Sequence, residues 1–379
     1  MPKPAASLPP FHAIARHPKR AHMLTGLVLA CLPWAAQAQT LADCAALADD
    51  ARRLACYDRL ARGNAASDTA QGSPAAKPEP VPMAVRNEPS ALQQVATAPS
   101  GQGLAAADFL TKFWELEPSA KRGTFVVRTY QPNALLPAHY TNNINRTPAS
   151  PTHPSDGTQQ PYRSTEAALQ LSLRAKVLED VLLPNADLWF AFSQKSIWQL
   201  WNSVDSSPFR SSDYQPEAVY TVPIPDRLGE LPSGWRWRML QGGIAHESNG
   251  QPDPLSRSWN RAYLGTAFTH DDYALQARFN HRLPESGTDD NPHITDFIGN
   301  TELSASWFPG QNTMQLVART SFKSWSKGSL QLNWSHPVFS DKPDGLRWYV
   351  QLFTGYGETL LDYNHRQTSV GLGFTLFQL

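Results

Sequence analysis

The residues best suited to chemistry lie in the run Gly243-Ile244-Ala245-His246-Glu247-Ser248-Asn249-Gly250-Gln251-Pro252-Asp253-Pro254-Leu255-Ser256-Arg257-Ser258-Trp259-Asn260-Arg261. A serine hydroxyl is a weak nucleophile at neutral pH, so an imidazole must take its proton as it attacks an ester carbonyl. Leu240, Ile244, His246 and Ser248 share one parity. On a strand, His246 and Ser248 therefore point to the same side, about 6.6 Å apart along the backbone. An antiparallel hairpin turning around Asp253 sets Asn260 opposite His246, where its amide oxygen can accept the Nδ1 proton and hold the tautomer. A neutral amide stabilises an imidazolium less than a carboxylate does, so such a site needs other electrostatic help, for instance a cation. Glu247 has the opposite parity and points away from His246. On spacing alone, a solvated hairpin turn is the simpler reading of these residues.

The elements that must position this stretch read as strands. Leu169, Leu171, Leu173 and Ala175 alternate with Gln170, Ser172, Arg174 and Lys176, which is period two. Further candidates fall at about 187–198, 215–224, 235–248, 259–269, 273–283, 297–308, 312–323, 328–336, 346–356 and 367–377, joined in places by short hairpin turns. Many are flanked by Trp or Tyr, and each has the length a tilted membrane strand needs. The chain carries 12 Trp, 11 Tyr and 16 Phe at a mean hydropathy of −0.42, and beyond residue 38 it has no apolar run long enough for a membrane helix. Apolar side chains spaced by two along strands reconcile these facts, because each strand then has one apolar and one polar face. The last strand alternates Val370, Leu372, Phe374 and Leu376 with Gly371, Gly373, Thr375 and Phe377, and it leaves a long bare edge unless the sheet closes on itself. The expected fold is all-β, a closed antiparallel transmembrane β-barrel. Closed bacterial barrels have an even strand count, so twelve strands are expected, one more than the pattern resolves. The alternative, a soluble β-sandwich, leaves the aromatic clustering at strand ends unexplained.

The N-terminal part has a different character. Arg16, Lys19 and Arg20 precede the apolar run Met23 to Trp34 and the small-residue pattern Ala36-Gln37-Ala38, the signature of a signal peptide over residues 1–38, with Met23 as an alternative initiator. A membrane anchor would need a longer apolar run. Residues 39–61 form a small segment holding Cys44 and Cys56, for which a disulfide is expected in an oxidising periplasm. Residues 62–103 are rich in Pro, Ala and Ser and read as a linker. Residues 104–165, including the loop-like 132–162, read as an arm and loop that pack inside or against a barrel spanning 166–379. With 33 basic and 33 acidic residues and no long cationic tract, nothing suggests a nucleic-acid partner.

Several motifs in one order resemble the outer-membrane phospholipase A family from about Phe125 to the C-terminus. They are Gln194-Lys195-Ser196-Ile197-Trp198-Gln199-Leu200 with Ser206-Ser207-Pro208-Phe209-Arg210 and Tyr214-Gln215-Pro216-Glu217, the His246 to Arg261 stretch, and Gly355-Tyr356-Gly357-Glu358-Thr359-Leu360-Leu361-Asp362-Tyr363-Asn364. The resemblance implies a twelve-stranded barrel of the outer membrane, with active residues on its outer surface at outer-leaflet level and activity switched on by calcium-dependent homodimerisation. It makes Ser248 the nucleophile, His246 the base, Asn260 the residue orienting it and Gly250 the backbone donor to the oxyanion. It implies a Ca2+ ion at the subunit interface, held by the Ser256 hydroxyl, the Gln251 carbonyl and the Ser206 hydroxyl of the other subunit. Gln251 stands where the family usually has arginine. Asp253 and Asp290 resemble residues of a weaker calcium site in the unpaired subunit, and Gln194 resembles a polar residue of the dimer interface. The implied reaction is hydrolysis of acyl esters of phospholipids and lysophospholipids, at both A1 and A2 positions. A non-enzymatic barrel, porin-like or structural, is the alternative; a scaffold alone has no need of His246, Ser248, Asn260, Ser256 and Ser206 together.

Overall fold

The computed structural model describes residues 106–205, 208–285, 289–321 and 326–376, all within the second of two compact units, residues 87–379. The expected signal peptide, the Cys44/Cys56 segment and the linker lie outside the described residues.

Twelve strands close into an antiparallel barrel: β2 (Ala134–Thr141), β3 (Thr165–Leu178), β4 (Asp187–Trp198), β5 (Phe209–Pro223), β6 (Arg236–Ser248), β7 (Ser258–His270), β8 (Tyr273–Leu283), β9 (Thr301–Trp307), β10 (Thr313–Thr320), β11 (Ser329–Pro337), β12 (Arg347–Tyr356) and β13 (Arg366–Thr375). Each pairs with its neighbour in sequence, and β13 returns to β2. The short β1 (Val127–Thr129) continues the line of β2 along β3. In the gap between them, the Asn133 side-chain amide bonds the Ser172 backbone, accepting its N–H at 2.6 Å and donating to its carbonyl at 3.2 Å. Among the described residues no helix is long and apolar enough to cross a membrane, which says nothing of a chain that crosses with strands.

The twelfth strand, β2, lies in the segment that reads as loop from its sequence. Pro137 hides it, because a residue without an N–H breaks a ladder. The structure absorbs that residue in a bulge, with one extra residue on β2 between Leu136 and His139. Across the bulge sits Gly373, where a Cβ would lie 2.0 Å from the Leu135 carbonyl oxygen, so the Gly-rich alternation of β13 is what lets the barrel close. Two further boundaries differ from expectation. β5 begins at Phe209 rather than near 215, and β9 begins at Thr301 rather than near 297, because Ile294–Ile298 forms a short helix.

Polarity is inverted relative to a water-soluble protein. Leu169, Leu171, Leu264, Leu352 and Leu372 are exposed outward, whereas Glu166, Arg174, Lys176, Arg210, Glu217 and Arg347 are buried inside. Several of the interior charges are matched, whereas Arg174 lies over the rings of Phe113, Trp114 and Trp189 and Arg347 is held by Ser335 and backbone carbonyls. Glu166 accepts from Arg210 Nε and from Gln199 Nε2, both at 2.7 Å, while Arg210 Nη1 reaches Asp362 at 2.7 Å. Tyr130 and Tyr263 both donate to Glu217, at 2.6 and 2.5 Å. One end of the lumen holds helix α1 (Ala106–Trp114), whose Leu110 and Trp114 pack against Trp189, Val219, Met239 and Tyr263. The Ala106 N–H donates to the Asp271 carbonyl in the β7–β8 turn, at the end opposite the long β6–β7 loop; of the segment expected as arm and loop, α1 enters the lumen while Ala134–Thr141 is a barrel strand, so the barrel begins there rather than at 166.

Removing one partner of a buried, hydrogen-bonded pair leaves a charge without compensation. Glu166→Ala is therefore expected to destabilise the barrel by about 3–5 kcal/mol, read as a lowered denaturant midpoint of the heat-modifiable folded band. Asp226→Ala, which removes an exposed partner of Arg236, should move that midpoint little.

Candidate active site

Register places the catalytic candidates. β6 and β7 pair so that His246 faces Asn260 and Ser248 faces Ser258. The intervening Glu247 turns into the lumen, where its carboxylate accepts from Trp259 Nε1 at 3.0 Å and Arg261 Nη1 at 2.9 Å. Period two then puts His246 and Ser248 on the outer face, beside the exposed Ile244. His246 Nδ1 lies 2.8 Å from Asn260 Oδ1, the geometry in which the amide oxygen accepts the ring N–H and leaves Nε2 free to take a proton. Among the described residues no hydrogen bond joins Ser248 to His246. Asn260 in turn donates from Nδ2 to Glu285 Oε1 at 3.2 Å. Burial pushes the Glu285 carboxyl up against the opposing charge of Arg282, and the His246 ring is close enough to act on it in the lowering sense.

The loop after β6 is organised by Asn249, which sequence reading left without a role. Its buried side chain accepts the backbone N–H groups of Gln251 (3.3 Å) and Arg257 (2.9 Å) and donates to the Leu255 carbonyl (2.7 Å). One amide thereby ties both ends of the turn. Gly250 follows with φ +60°, a left-handed conformation that favours glycine, and it lies exposed beside Ser248.

Of the residues expected to hold a cation, Ser206 lies outside the described residues. Ser256 Oγ donates to Asp290 Oδ2 at 2.6 Å, which joins two expected ligands from different hairpins. Asp253 approaches through His153, whose Nε2 is 3.2 Å from Asp290 and 3.6 Å from Asp253, and these three side chains form a group able to hold a metal ion. Hydroxyl and carboxylate oxygens suit a hard cation such as calcium; the imidazole is not among its usual ligands. The Gln251 side chain reaches the Arg210 carbonyl at 3.5 Å. Gln194 is half-buried on the outer face and donates to Ser196 Oγ at 3.1 Å. Successive registers link Leu171, Gln194, Tyr214, Ser248 and Ser258 in one row across five strands, so Gln194 stands two strands, about 10 Å, from Ser248. His153 and Glu285 carried no periodic signal: His153 sits in the β2–β3 loop, and Glu285 follows the end of β8, which the β7–β8 register sets beside Asn260.

A family model described as phospholipase A1 matches residues 110–376. A putative phospholipase A1 of Neisseria meningitidis serogroup B is 33% identical over 369 residues, covering 93% of this chain and 94% of the relative. Phospholipase A1 of Escherichia coli K12 is 31% identical over 299 residues, covering 79% and 95%. Among solved structures, outer membrane phospholipase A from Escherichia coli superposes with a TM-score of 0.59 at 32% identity, covering 67% of this chain and all of that one. A Salmonella typhi outer membrane phospholipase dimer with bound calcium gives 0.58 at 31% identity, covering 66% of this chain and 92% of that one.

If Asn249 holds the loop shut, its replacement opens the loop without disturbing the barrel. Asn249→Ala should expose the wholly buried Arg257 to trypsin, giving cleavage after that residue in folded protein that the parent resists.

Proposed function

Because the chain belongs to the outer-membrane phospholipase A family, a group of enzymes on closed outer-membrane β-barrels, we propose that His246, Ser248 and Asn260 are its ester-hydrolysing machinery. The observation that carries this reading is the 2.8 Å contact between His246 Nδ1 and Asn260 Oδ1 on the outer face of the barrel, with Ser248 on that same face. A phospholipid of the outer leaflet meets this surface directly, its acyl ester level with the strand end. His246 Nε2 takes the Ser248 proton as Oγ attacks the ester carbonyl, and Asn260 holds the imidazolium through Nδ1–H. The oxyanion accepts from the Gly250 N–H. His246 then returns the proton to the leaving glycerol oxygen, and water, with His246 again as base, releases the fatty acid from Ser248. An open surface imposes little on which ester approaches, which supports action at both A1 and A2 positions and on lysophospholipids.

Ser256, the Gln251 carbonyl and Ser206 of a second copy are the proposed calcium ligands, with Asp253 and Asp290 serving the unpaired subunit. Bound there, Ca2+ would supply positive charge that favours the developing oxyanion. Support comes from the Ser256–Asp290 contact and from the calcium-bound dimer of the Salmonella relative. Gln194, in the Ser248 row, is the proposed polar contact of the homodimer, since an amide facing lipid favours a partner amide or hydroxyl. The segment before the barrel is proposed to be periplasmic, clipped by Cys44–Cys56.

Ser248→Ala should fold and insert but release no fatty acid from mixed micelles, whereas Asn260→Ala should be impaired without being dead. Wild-type release insensitive to chelator would refute the calcium assignment. If one ion joins Ser206 of one barrel to Ser256 of the other, calcium and dimerisation strengthen each other equally. Ser206→Ala mixed with Ser256→Ala then gives heterodimers with one intact site, and a calcium titration should show activity at low calcium that neither variant has alone. Simple averaging of the two homodimers would sink the shared ion.

A further inference from the structure

The amide of Asn260 has two ends, and the second is held. Its oxygen faces His246 Nδ1 at 2.8 Å, while its nitrogen donates to Glu285 Oε1 at 3.2 Å. Asn260 pairs with Leu283, the last residue of β8. Pro284 then ends the ladder, and Glu285 follows beside the Asn260 side chain. The other carboxylate oxygen, Oε2, lies 3.8 Å from Arg282 Nη2, and the Glu285 side chain is 14% exposed. Arg282 is itself held by Asp289 at 2.7 Å. The carboxylate is thus largely shielded from water, anchored on one oxygen and aimed with the other.

We propose that Glu285 is a positioning residue for ester hydrolysis, acting through Asn260 as a fourth member of the Ser248–His246–Asn260 relay. The chemistry asks for such a group. An asparagine side chain can rotate by half a turn, and the flipped amide would present N–H to N–H at His246 Nδ1 and hold the ring in the wrong tautomer. A carboxylate on the nitrogen side accepts only, so it admits one orientation of the amide, the one whose oxygen faces the imidazole. The same hydrogen bond polarises the amide and increases the negative charge on Oδ1. The imidazolium that forms as Ser248 attacks is stabilised by that charge, which a lone asparagine lacks. No proton reaches Glu285 in this scheme: the proton from Ser248 stays on His246 Nε2 until the leaving oxygen takes it.

The inference rests on the esterase reading of the same site, and the experiment separates the two. Glu285→Ala, Glu285→Gln and Asn260→Ala, alone and as the Glu285→Ala/Asn260→Ala double variant, are compared in folded, detergent-solubilised full-length protein with calcium present. Glu285→Ala should lower kcat about tenfold, the loss expected for one charge-assisted hydrogen bond, with KM little changed, because the carboxylate stabilises the imidazolium and not the bound lipid. Glu285→Gln is isosteric and can still accept through its amide oxygen, so it should recover part of that loss while confirming that the fold tolerates the site. In the Asn260→Ala background, Glu285→Ala should cost nothing further, since the path to His246 is already cut. A kcat within twofold of wild type in Glu285→Ala overturns the proposal, as does a Glu285→Ala loss that persists in full when Asn260 is absent, or one carried in KM alone. If the wild type itself shows no hydrolysis that Ser248→Ala removes, the esterase reading has failed instead.

Discussion

The whole structure depends on one constraint: hydrocarbon offers no hydrogen bonds, so every backbone N–H and C=O of the membrane strands must be paired within the sheet. That requirement forces β13 back onto β2 and makes β2 a strand despite Pro137. The bulge at Pro137 and the missing side chain of Gly373 are two halves of one solution, since the extra residue on one strand occupies the space the other leaves empty. Closure also decides the interior. A twelve-stranded ring has a lumen, and this one is filled by matched charges, among them Glu166–Arg210–Asp362 and Glu217 with its two tyrosines, and at one end by the aromatic face of α1.

Catalysis on such a barrel has to be placed on its outer wall, where the lipid is. Polar side chains are costly there, and the protein limits the cost by putting them at the strand ends, next to the loop that Asn249 folds. The rigid part of the site is the ladder itself. A β-register fixes His246 against Asn260 as firmly as it fixes the backbone, which is better support than a loop gives. An amide in the proposed orienting role fits this setting, because a neutral group costs less to hold at a hydrocarbon boundary than a carboxylate. The charge that an aspartate would carry stands one residue further back, on Glu285, off the membrane strand and beside Arg282.

The row from Leu171 through Gln194 and Tyr214 to Ser248 joins the proposed association surface to the proposed nucleophile. Two barrels meeting along the Gln194 face would wall one side of the site. The distance involved is only two strands, so no long conformational pathway is required for assembly to reach the chemistry.

The sequence by itself determined what is periodic. Alternation in Leu169 to Lys176 and in Val370 to Phe377 is a local property, set by a side-chain repeat of two, and it yields the strands, the inverted polarity and the need for closure. The same parity put His246 and Ser248 on one face and Glu247 on the other, and a hairpin about Asp253 set Asn260 opposite His246, as the register shows. What has no period was silent. Pro137 masked β2, because a local rule against proline in a ladder cannot know that Gly373 waits across the gap. Asn249 looked like any loop residue, since its worth lies in three backbone partners that exist only once the turn is folded. His153 and Glu285 lie far from the hairpin in sequence, 93 residues before and 39 after His246. Only the tertiary structure decides these meetings: the barrel brings the β2–β3 loop with His153 to Asp290, and the β7–β8 pairing sets Glu285 beside Asn260.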